Sequence, residues 1–471
     1  MKVFVLKMAA GIVRMLAALA GVFARRRDGI AVISCQDDKP SQDILELEKE
    51  LKVLLWELDR RSPHGREVDP GAPHNPASDP GTPHIPAVDP GAPHIRVVAG
   101  RMRRSAGGAV LFIGRFLSML RAVAASRVVV IDAFCPAVSI PKKQPWQKVV
   151  QIWHAPEAIK KFSLQILDTP AGYKSRTAEI LCMHRGYDYI LCPADATRPF
   201  FSEAFGYPEN VFVKYGLPSL DRIGLMKRPA PGKAEAPERV AARSEILTQY
   251  PVLQGGAGGR LLTVVYAPTF RDGAAVNSAG LIRAFTKALQ TTTDGKLPGI
   301  ALVLKLHPLD PGYSDSDEEE RFATSAAFPA TTKSETTKSE MTKDSEPFAT
   351  TFFILNDKKF ILADWHAAAD VIITDYSGVA VEAAAAGVAS YYYIYDIEDY
   401  KTRRGLNVDL REEAVGKYAF LDADALALQV LRDFSSDAYD YEALAAFGGK
   451  YLETPVSGNT RALAAFIAGL I

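Results

Sequence analysis

Short apolar runs separated by polar turns recur along most of the chain. The first series consists of GIAVIS (29–34), LKVLLWEL (51–58), RVVVID (127–132), KVVQIW (148–153) and DYILC (188–192), with helical stretches such as 41–50, 108–125 and 197–205 between them. The second begins near Leu261 with LLTVVYAP and continues through GIALVLKLHP, TFFILN, DVIITDYS and VASYYYIYD. Apolar strands alternating with helices are typical of parallel sheets covered on both faces. The pattern predicts an α/β fold of two doubly wound, Rossmann-like domains facing a cleft, with a ligand at the carboxyl ends of the strands.

The length of 471 residues also favours two domains over one. We place the first domain at 28–225 and the second at 260–471. Between them, residues 226–259 contain MKRPAPGKAEAPERV and QGGAGGR, which are typical of a linker. Residues 1–27 form a separate amphipathic segment.

Two low-complexity insertions interrupt these domains, one at 60–95 and one at 313–349. The first repeats with a period of ten and carries His64, His74, His84 and His94. Either a metal-binding array or a neutral repeat in a surface loop would have this pattern. We favour the neutral repeat, because flexible histidines so far apart make a poor preformed site. The second is predicted to be disordered, and its Asp315-Ser316-Asp317 is interpreted as part of a solvated charge run and not as a metal-holding motif.

The N-terminal segment 3–24 is an apolar helix by pattern, but Lys7 and Arg14 interrupt it and Arg25-Arg26-Arg27 follows it. The two inner cations fall on nearly the same helical face, and cations are unusual in the middle of a membrane span. This favours a helix on the membrane surface, with the triple arginine attracted to anionic lipid. The alternative is a helix packed on the protein's own domain.

Charge and cysteine content exclude several classes of protein. Lys+Arg and Asp+Glu both number 55, so the whole chain has no nucleic-acid signature. The four cysteines are scattered and none forms a CxxC, so neither a zinc site nor a disulfide framework is predicted. Buried thiols in a reducing cytoplasm fit this distribution.

Polar residues that follow the predicted strands are the candidates for chemistry. After DVIIT come Thr374, Asp375, Ser377 and Gly378, and Ser377 is positioned to cap an alanine-rich helix that ends at Gly387. The start of such a helix suits a phosphate or pyrophosphate, although an ordinary capped helix has the same pattern. Glu382 lies inside that helix, where it could reach a ribose hydroxyl.

Other strand ends carry further candidates. Thr269 and Arg271 follow one strand, and their hydroxyl and guanidinium groups suit phosphate oxygens. Lys305 and His307 follow another, and His154 follows a strand of the first domain. A single histidine is more often structural than catalytic, but two histidines at strand ends predicted to face one cleft indicate a catalytic pair.

These motifs together resemble the CDP-glycerol glycerophosphotransferase family, which builds and primes teichoic acids. The segments that carry the resemblance are VVQIWHAPEAIKKF, YGLPSLDRI, VVYAPTFRD, VLKLHP and ADVIITDYSGVAVEAAAAGVASYYYIYDIEDYKTRRGL, in the family's order over about 96–225 and 260–410. The cationic apolar N-terminal helix also resembles the membrane-associating start of the family.

The resemblance implies a GT-B fold, no cofactor and no metal in the chemistry, and a peripheral location on the cytoplasmic side of the cell membrane. The first domain would take the acceptor, a polyprenyl-linked glycan or glycerol-phosphate polymer, and the second the donor CDP-glycerol. An acceptor hydroxyl would attack the phosphorus bearing glycerol, and CMP would leave. His154 would be the general base and His307 would act at the phosphate on the leaving side. The donor would contact Thr269, Arg271, Lys305, Thr374, Asp375, Ser377, Gly378 and Glu382.

The chain departs from the family pattern at Ala155-Pro156-Glu157, at Gly378 and at Glu382. These positions shape pocket size and hydrogen-bond supply, so the identities of donor and acceptor stay open. A CDP-ribitol phosphotransferase and a nucleotide-sugar glycosyltransferase are the alternatives among enzymes. A non-catalytic membrane-surface binding protein is the alternative of another class.

Overall fold

The computed structural model describes residues 2–24, 28–61, 94–101, 106–230, 232–255, 260–271, 274–291, 299–307, 310–311, 319–323 and 351–471. The histidine-containing repeat, apart from His94, and the Asp315-Ser316-Asp317 motif lie outside these residues. The chain forms two compact units, one made of 1–222 and 451–471 and the other of 223–450. The division expected from the sequence did not include this return of the last 21 residues to the first unit.

The first unit is built on a parallel six-stranded sheet. Along the sheet the strands follow the order β2-β1-β3-β4-β5-β6. Its strands are β1 (Gly29–Ser34), β2 (Ile95–Ala99), β3 (Ser126–Ile131), β4 (Lys148–Gln151), β5 (Tyr189–Leu191) and β6 (Phe212–Val213). Its helices are α1 (Lys2–Phe23), α2 (Gln42–Arg61), α3 (Ala106–Ala124), α4 (Pro136–Ser139), α5 (Ser175–Ile180), α6 (Arg198–Phe205) and, after the return of the chain, α15 (Asn459–Ala468); α7 (Pro218–Leu225) contains the boundary with the second unit.

Both faces of this sheet are buried, as parallel strands require. Ile30 and Val32 of β1 point into one apolar cluster with α2 and α15, whereas Ala31 and Ile33 point into a second cluster with α3 and α6. The alternation follows from the two-residue period of a strand. The sheet is therefore held rigidly from both sides, which fixes the loops at its carboxyl edge.

The second unit contains a seven-stranded sheet in the order β13-β12-β11-β7-β8-β10-β9, in which only the edge strand β9 is antiparallel. Its strands are β7 (Leu262–Tyr266), β8 (Ile300–Leu304), β9 (Glu319–Ala323), β10 (Thr351–Asn356), β11 (Val371–Thr374), β12 (Ala389–Tyr393) and β13 (Ala419–Phe420). Its helices are α8 (Pro237–Gln249), α9 (Ser278–Thr291), α10 (Leu362–Ala368), α11 (Val379–Ala386), α12 (Ile397–Arg403), α13 (Ala423–Ser436) and α14 (Tyr441–Tyr451).

One predicted strand is wrong. Residues 51–58 form the second half of α2 and not a strand. Ile44, Leu47 and Leu51 recur at helical spacing and are fully buried in one cluster. The helical spacing of apolar residues starts at Ile44, before the leucine-rich run 51–58. When that run is considered alone, the spacing cannot be seen and the run resembles a strand. The segment 313–349, predicted to be disordered, also contains the edge strand β9.

Helix α1 agrees with the predicted helix 3–24 and packs on the protein's own domain, while one of its faces stays exposed. Its inner face packs on α3 and buries Ala10, with Val13 and Ala17 against the core. Its outer face exposes large apolar side chains, including Phe4, at 67% exposure, and Phe23, at 77%. Among the described residues, only the stretch Val3–Phe23 is long and apolar enough to cross a membrane.

Candidate active site

His154 lies in the first unit, three residues after β4 ends at Gln151. Its Nδ1 is 3.0 Å from the backbone oxygen of Asp132. A carbonyl oxygen only accepts hydrogen bonds, so Nδ1 carries the proton in the neutral ring and Nε2 has the free lone pair. The imidazole also packs on Trp153, with ring centroids 4.1 Å apart. These contacts hold a neutral ring in the tautomer that a general base needs.

The protonation of His154 is set by opposing effects. Desolvation lowers the pKa of the imidazole, and the hydrogen bond and charge of Asp132 oppose that shift in part. The side chain also meets solvent, which limits the effect of desolvation. The ring is therefore neutral near pH 7 and able to accept a proton.

Asp132 is a functional candidate that was not identified from the sequence. It directly follows β3, is 1% exposed, and accepts hydrogen bonds from the backbone N–H of Cys35 and from Gln36 Nε2 at 3.4 and 2.9 Å. Burial raises the pKa of its carboxyl group, and hydrogen bonds from Ser34 and Gln36 oppose the shift. Asp132 could have been found in the sequence, because it directly follows a valine-rich predicted strand. His154 was recognised by its position after a predicted strand in the same way.

The backbone around His154 is unusual over a longer stretch. Trp153, Ser163, Asp168, Cys182 and His184 are non-glycine residues with φ between 51° and 62°. Such a conformation costs free energy at each position and persists only where the surrounding fold enforces it. Glu157, which departs from the family pattern, is 7% exposed, and its Oε2 has no hydrogen-bond partner among the described residues. Backbone strain among the described residues therefore concentrates in the segment from Trp153 to His184, which contains this histidine.

In the second unit the structure brings Thr269, Arg271 and Asp375 together and adds Asp396. Arg271 donates to both carboxylates, from Nε and Nη2 to Asp396 at 2.7 and 3.0 Å and from Nη2 to Asp375 at 2.8 Å. The backbone N–H of Thr269 donates to Asp375 at 2.9 Å, and the Arg271 guanidinium lies 5.3 Å from the Tyr376 ring centroid. One arginine thus ties together the loops after β7, β11 and β12.

This ion cluster is largely removed from solvent, with side-chain exposures of 10% for Arg271, 2% for Asp375 and 17% for Asp396. Burial alone would lower the pKa of the Arg271 guanidinium, but hydrogen bonds and charge from Asp396 and Asp375 raise it above its usual range. The arginine stays charged, and most of its donors are engaged within the protein. By contrast, Thr269 Oγ1 is buried without a hydrogen-bond partner among the described residues.

Two further predicted ligand residues are engaged inside the unit. Thr374 is fully buried and its Oγ1 donates to the oxygen of Ala267 at 2.7 Å. Lys305 Nζ donates to the carboxylate of Asp357 at 3.0 Å and to the backbone oxygen of Phe360. These bonds favour a positioning role for Thr374 and Lys305.

The loop before α11 follows the predicted course, but Ser377 is not the N-cap residue that the sequence predicts. Gly378 occupies the N-cap position, Ser377 Oγ accepts from the backbone N–H of Val379 at 3.4 Å, and Gly387 ends the helix with φ of 69°. Glu382 lies in the first turn of this helix and is half-buried. The positive end of the helix and its first N–H groups are thus at the carboxyl edge of β11.

His307 follows β8, is exposed, and lies with its ring centroid 5.0 Å from that of Phe270. Strands β12, β11, β7 and β8 are consecutive neighbours in the sheet. Their carboxyl ends therefore place His307, Thr269, Ser377 and the ion cluster along one edge of the second unit. Among the described residues, no three His, Cys, Asp or Glu side chains form a group that could hold a metal ion.

Known proteins are similar to this chain in sequence and in fold. The family described as CDP-Glycerol:Poly(glycerophosphate) glycerophosphotransferase matches residues 107–333 and 339–467. The chain is 24% identical over 351 residues to a teichoic acid glycerol-phosphate primase of Bacillus subtilis (strain 168), covering 74% of each protein. It is 23% identical over 373 residues to a teichoic acid ribitol-phosphate primase of Bacillus spizizenii, covering 79% of this chain and 82% of the relative.

A solved structure of the wall teichoic acid polymerase TagF is similar in fold, with a TM-score of 0.55 at 16% identity, and the match covers 99% of this chain and 97% of that chain. This likeness confirms the predicted GT-B-type fold. The family match extends over most of the chain and includes every predicted site residue. The protein therefore belongs to the CDP-glycerol:poly(glycerophosphate) glycerophosphotransferase family, the phosphotransferases of teichoic acid synthesis.

Proposed function

We propose that this protein transfers glycerol phosphate from CDP-glycerol to a hydroxyl group of a lipid-linked glycan or glycerol-phosphate polymer and releases CMP. The observation that carries the proposal is the His154 imidazole, held neutral with Nε2 free by its bond to the Asp132 carbonyl. A family of phosphotransferases and a general base in this tautomer together support attack by an acceptor hydroxyl.

In the proposed reaction, the acceptor oxygen forms a bond to the phosphorus that bears glycerol. The bond from that phosphorus to the bridging oxygen breaks, and CMP leaves with that oxygen. The acceptor proton passes to Nε2 of His154. His307 binds the phosphate on the leaving side and supplies a proton there. Positioning and charge neutralisation supply most of the rate enhancement in such transfers.

The second unit would hold the donor. The Thr269 hydroxyl, Ser377 Oγ and the N–H groups near Gly378 are the proposed pyrophosphate contacts. Arg271 contributes positive charge and shapes the loops through its bonds to the two carboxylates. Asp375 and Glu382 are proposed to orient donor hydroxyls, and Thr374 and Lys305 to position the strand ends.

The outer face of α1 would place the enzyme on the cytoplasmic surface of the cell membrane, where a lipid-linked acceptor is found. Its exposed apolar side chains support this location. Ala10 and its neighbours on the inner face attach the helix to the first unit, so membrane contact would hold that unit close to the lipid surface.

The experiment that tests the function is CMP release by the purified full chain with CDP-glycerol, CDP-ribitol or UDP-glucose and a membrane-derived lipid acceptor. We expect acceptor-dependent CMP from CDP-glycerol, and a loss of about 10²–10⁴-fold in the His154→Asn variant. His94→Asn, which changes an exposed histidine before β2, is the matched control. Full activity in His154→Asn would exclude this histidine as the base.

The ribitol-phosphate primase relative, almost as similar as the glycerol-phosphate primase, supports CDP-ribitol as a second candidate donor. CMP from CDP-ribitol alone would select that donor. Release of a nucleoside diphosphate from UDP-glucose would indicate glycosyl transfer. Nucleotide binding without turnover, with an acceptor validated on an active relative, would support a non-catalytic protein.

A further inference from the structure

An open cavity lies between α1 and α5 in the first unit, with a volume of about 390 Å³. Four cationic side chains border it, two from α1 and two from the segment that contains α5: Lys7, Arg14, Arg176 and Arg185. All four are exposed. Glu179 is the only acidic side chain at its border among the residues that the structure describes. The cavity therefore combines a concave shape with a clear excess of positive charge.

Most of this charge is not neutralised within the protein. Glu179 pairs with Arg176 at 2.5 Å. Among the described residues, no carboxylate forms an ion pair with Lys7, Arg14 or Arg185, and the Arg14 guanidinium contacts Cys182 Sγ at 3.9 Å. Three cations with no acidic partner around one cavity suit an anion with several oxygens, such as a phosphate or diphosphate.

A second cavity of about 480 Å³ adjoins the first along α1, and Arg14 lines both. The rest of its lining is mostly apolar, with Lys142, Gln144 and Gln147 as its polar residues. It includes Ala18, Gly21 and Val22 of α1, Leu120 and Val123 of α3, and Trp146. An apolar groove joined at one arginine to a basic cavity matches a molecule with a charged head and a hydrocarbon chain.

The orientation of α1 indicates that such a molecule would enter from the membrane. At about 100° per residue, Lys7 and Arg14 lie beside the inner face of the helix, and Met8, Met15 and Leu19 lie on the opposite, exposed face. If that outer face meets the lipid surface, the basic cavity and the groove open beside the headgroups and chains of the membrane.

We propose that these two cavities form one binding site for a phosphate-bearing lipid, with the phosphate in the basic cavity and the chain along the groove. The inference deepens the proposed function, on which it rests, because the lipid carrier of the acceptor has this chemistry. Glu179 and Arg185 also line a third cavity, of about 470 Å³, that includes His184. The His184 ring is 6.5 Å from that of Trp153, which packs on His154, so aromatic rings connect this third cavity to the proposed base.

The test measures binding to the full-length protein by calorimetry, without donor and without vesicles. Farnesyl diphosphate is the probe with both parts, and inorganic pyrophosphate and farnesol are the probes for head and chain alone. We expect saturable binding of farnesyl diphosphate, with each partial probe at least about tenfold weaker. Arg185→Gln should weaken farnesyl diphosphate binding about fivefold, since one cation near a phosphate is lost. Lys233→Gln, an exposed lysine of the second unit, is the matched charge control.

The groove is tested by Gly21→Phe, with Gly11→Phe as its control. A Cβ atom added at either glycine of α1 meets no other atom within 4 Å, so both variants should fold. Only Gly21 lines the groove. Occupation of the groove by the chain predicts weaker farnesyl diphosphate binding in Gly21→Phe alone. Non-specific apolar association predicts equal or tighter binding in both variants, and that result would overturn the proposal.

A parallel titration with dihexanoyl phosphatidylglycerol distinguishes the source of the phosphate. Tighter binding of farnesyl diphosphate supports a prenyl carrier, and equal binding supports the site with bulk phospholipid as its occupant. Absence of saturable binding by both, or binding insensitive to Arg185→Gln, would refute the site. CMP release is recorded on the same preparations, so a failure of the proposed reaction is seen separately from a failure of lipid binding.

Discussion

The ion cluster of the second unit permits a quantitative prediction. Arg271→Met removes one charge that lies 2.7–3.0 Å from the two carboxylates and retains most of the side-chain volume. It leaves Asp375, at 2% exposure, and Asp396, at 17%, next to each other without a cation. Removing one partner of a buried pair typically costs about 3–5 kcal/mol, because the other charge stays desolvated.

This loss applies to the unfolding of the second unit. For a domain of about 150–250 residues, 1 kcal/mol lowers Tm by about 2–4 °C, so we expect a decrease of about 6–20 °C. Arg271→Met combined with Asp375→Asn should recover part of the loss, since one stranded charge is removed. Arg403→Met is the matched control, because Arg403 pairs with Asp399 at the surface, and we expect a change below about 1 kcal/mol.

The assay is thermal and urea unfolding, combined with hydrogen exchange followed by mass spectrometry. Peptides that contain β7 and β11 should exchange faster in Arg271→Met, and peptides that contain β3 of the first unit should not change. Stability within about 1 kcal/mol of the wild type and unchanged exchange would refute the reasoning. If CDP-glycerol affinity were then lost at unchanged stability, Arg271 would contact the donor directly and would not act by holding the loops.

Three further predictions concern pH, membrane contact and one turn. His366 is fully buried, and burial lowers its pKa to about 4, so between about pH 6.5 and 4 the unfolded chain binds one proton more than the folded chain. The free energy of unfolding should therefore fall by about 2–3 kcal/mol as the pH decreases through this range. Urea titrations of His366→Leu should show a smaller decrease. The double variant Met8→Glu and Met15→Glu alters only the outer face of α1, so its circular dichroism spectrum should be unchanged while the protein no longer sediments with membranes. Continued sedimentation with membranes would contradict the surface-helix interpretation. Gly387 has φ of 69°, so Gly387→Ala should cost about 1 kcal/mol in urea unfolding, and an unchanged midpoint would show that the turn relaxes without cost.

Sequence patterns succeeded where the information is local. Runs of valine and isoleucine predicted β1 at Gly29–Ser34, β3, β7, β8 and β11 within one or two residues, because a strand buried on both faces must be apolar along its length. They failed at 51–58, where a leucine-rich run has no visible period of its own and only the burial of Ile44 and Leu47 shows the helix. The strand β2 (Ile95–Ala99), next to the low-complexity repeat, was missed.

The candidate site also has a part that the sequence predicts and a part that it does not. His154, His307, Thr269 and Ser377 could be found because each follows a recognisable strand. The bond from His154 to the carbonyl of Asp132 and the ion pair of Arg271 with Asp396 could not be predicted, because the partners lie more than 20 residues apart along the chain.

The sequence by itself therefore determined the family, the alternation of strands and helices, and which residues stand at strand ends, since these depend on spacing along the chain. Only the tertiary structure decided that Arg271 is engaged by two carboxylates, that Lys305 and Thr374 are bonded within the unit, and that α1 lays Arg14 between a basic and an apolar cavity. The physical reason is that hydrogen bonds and ion pairs act over a few ångströms in space, and the packing of the sheets decides which distant residues come within that distance.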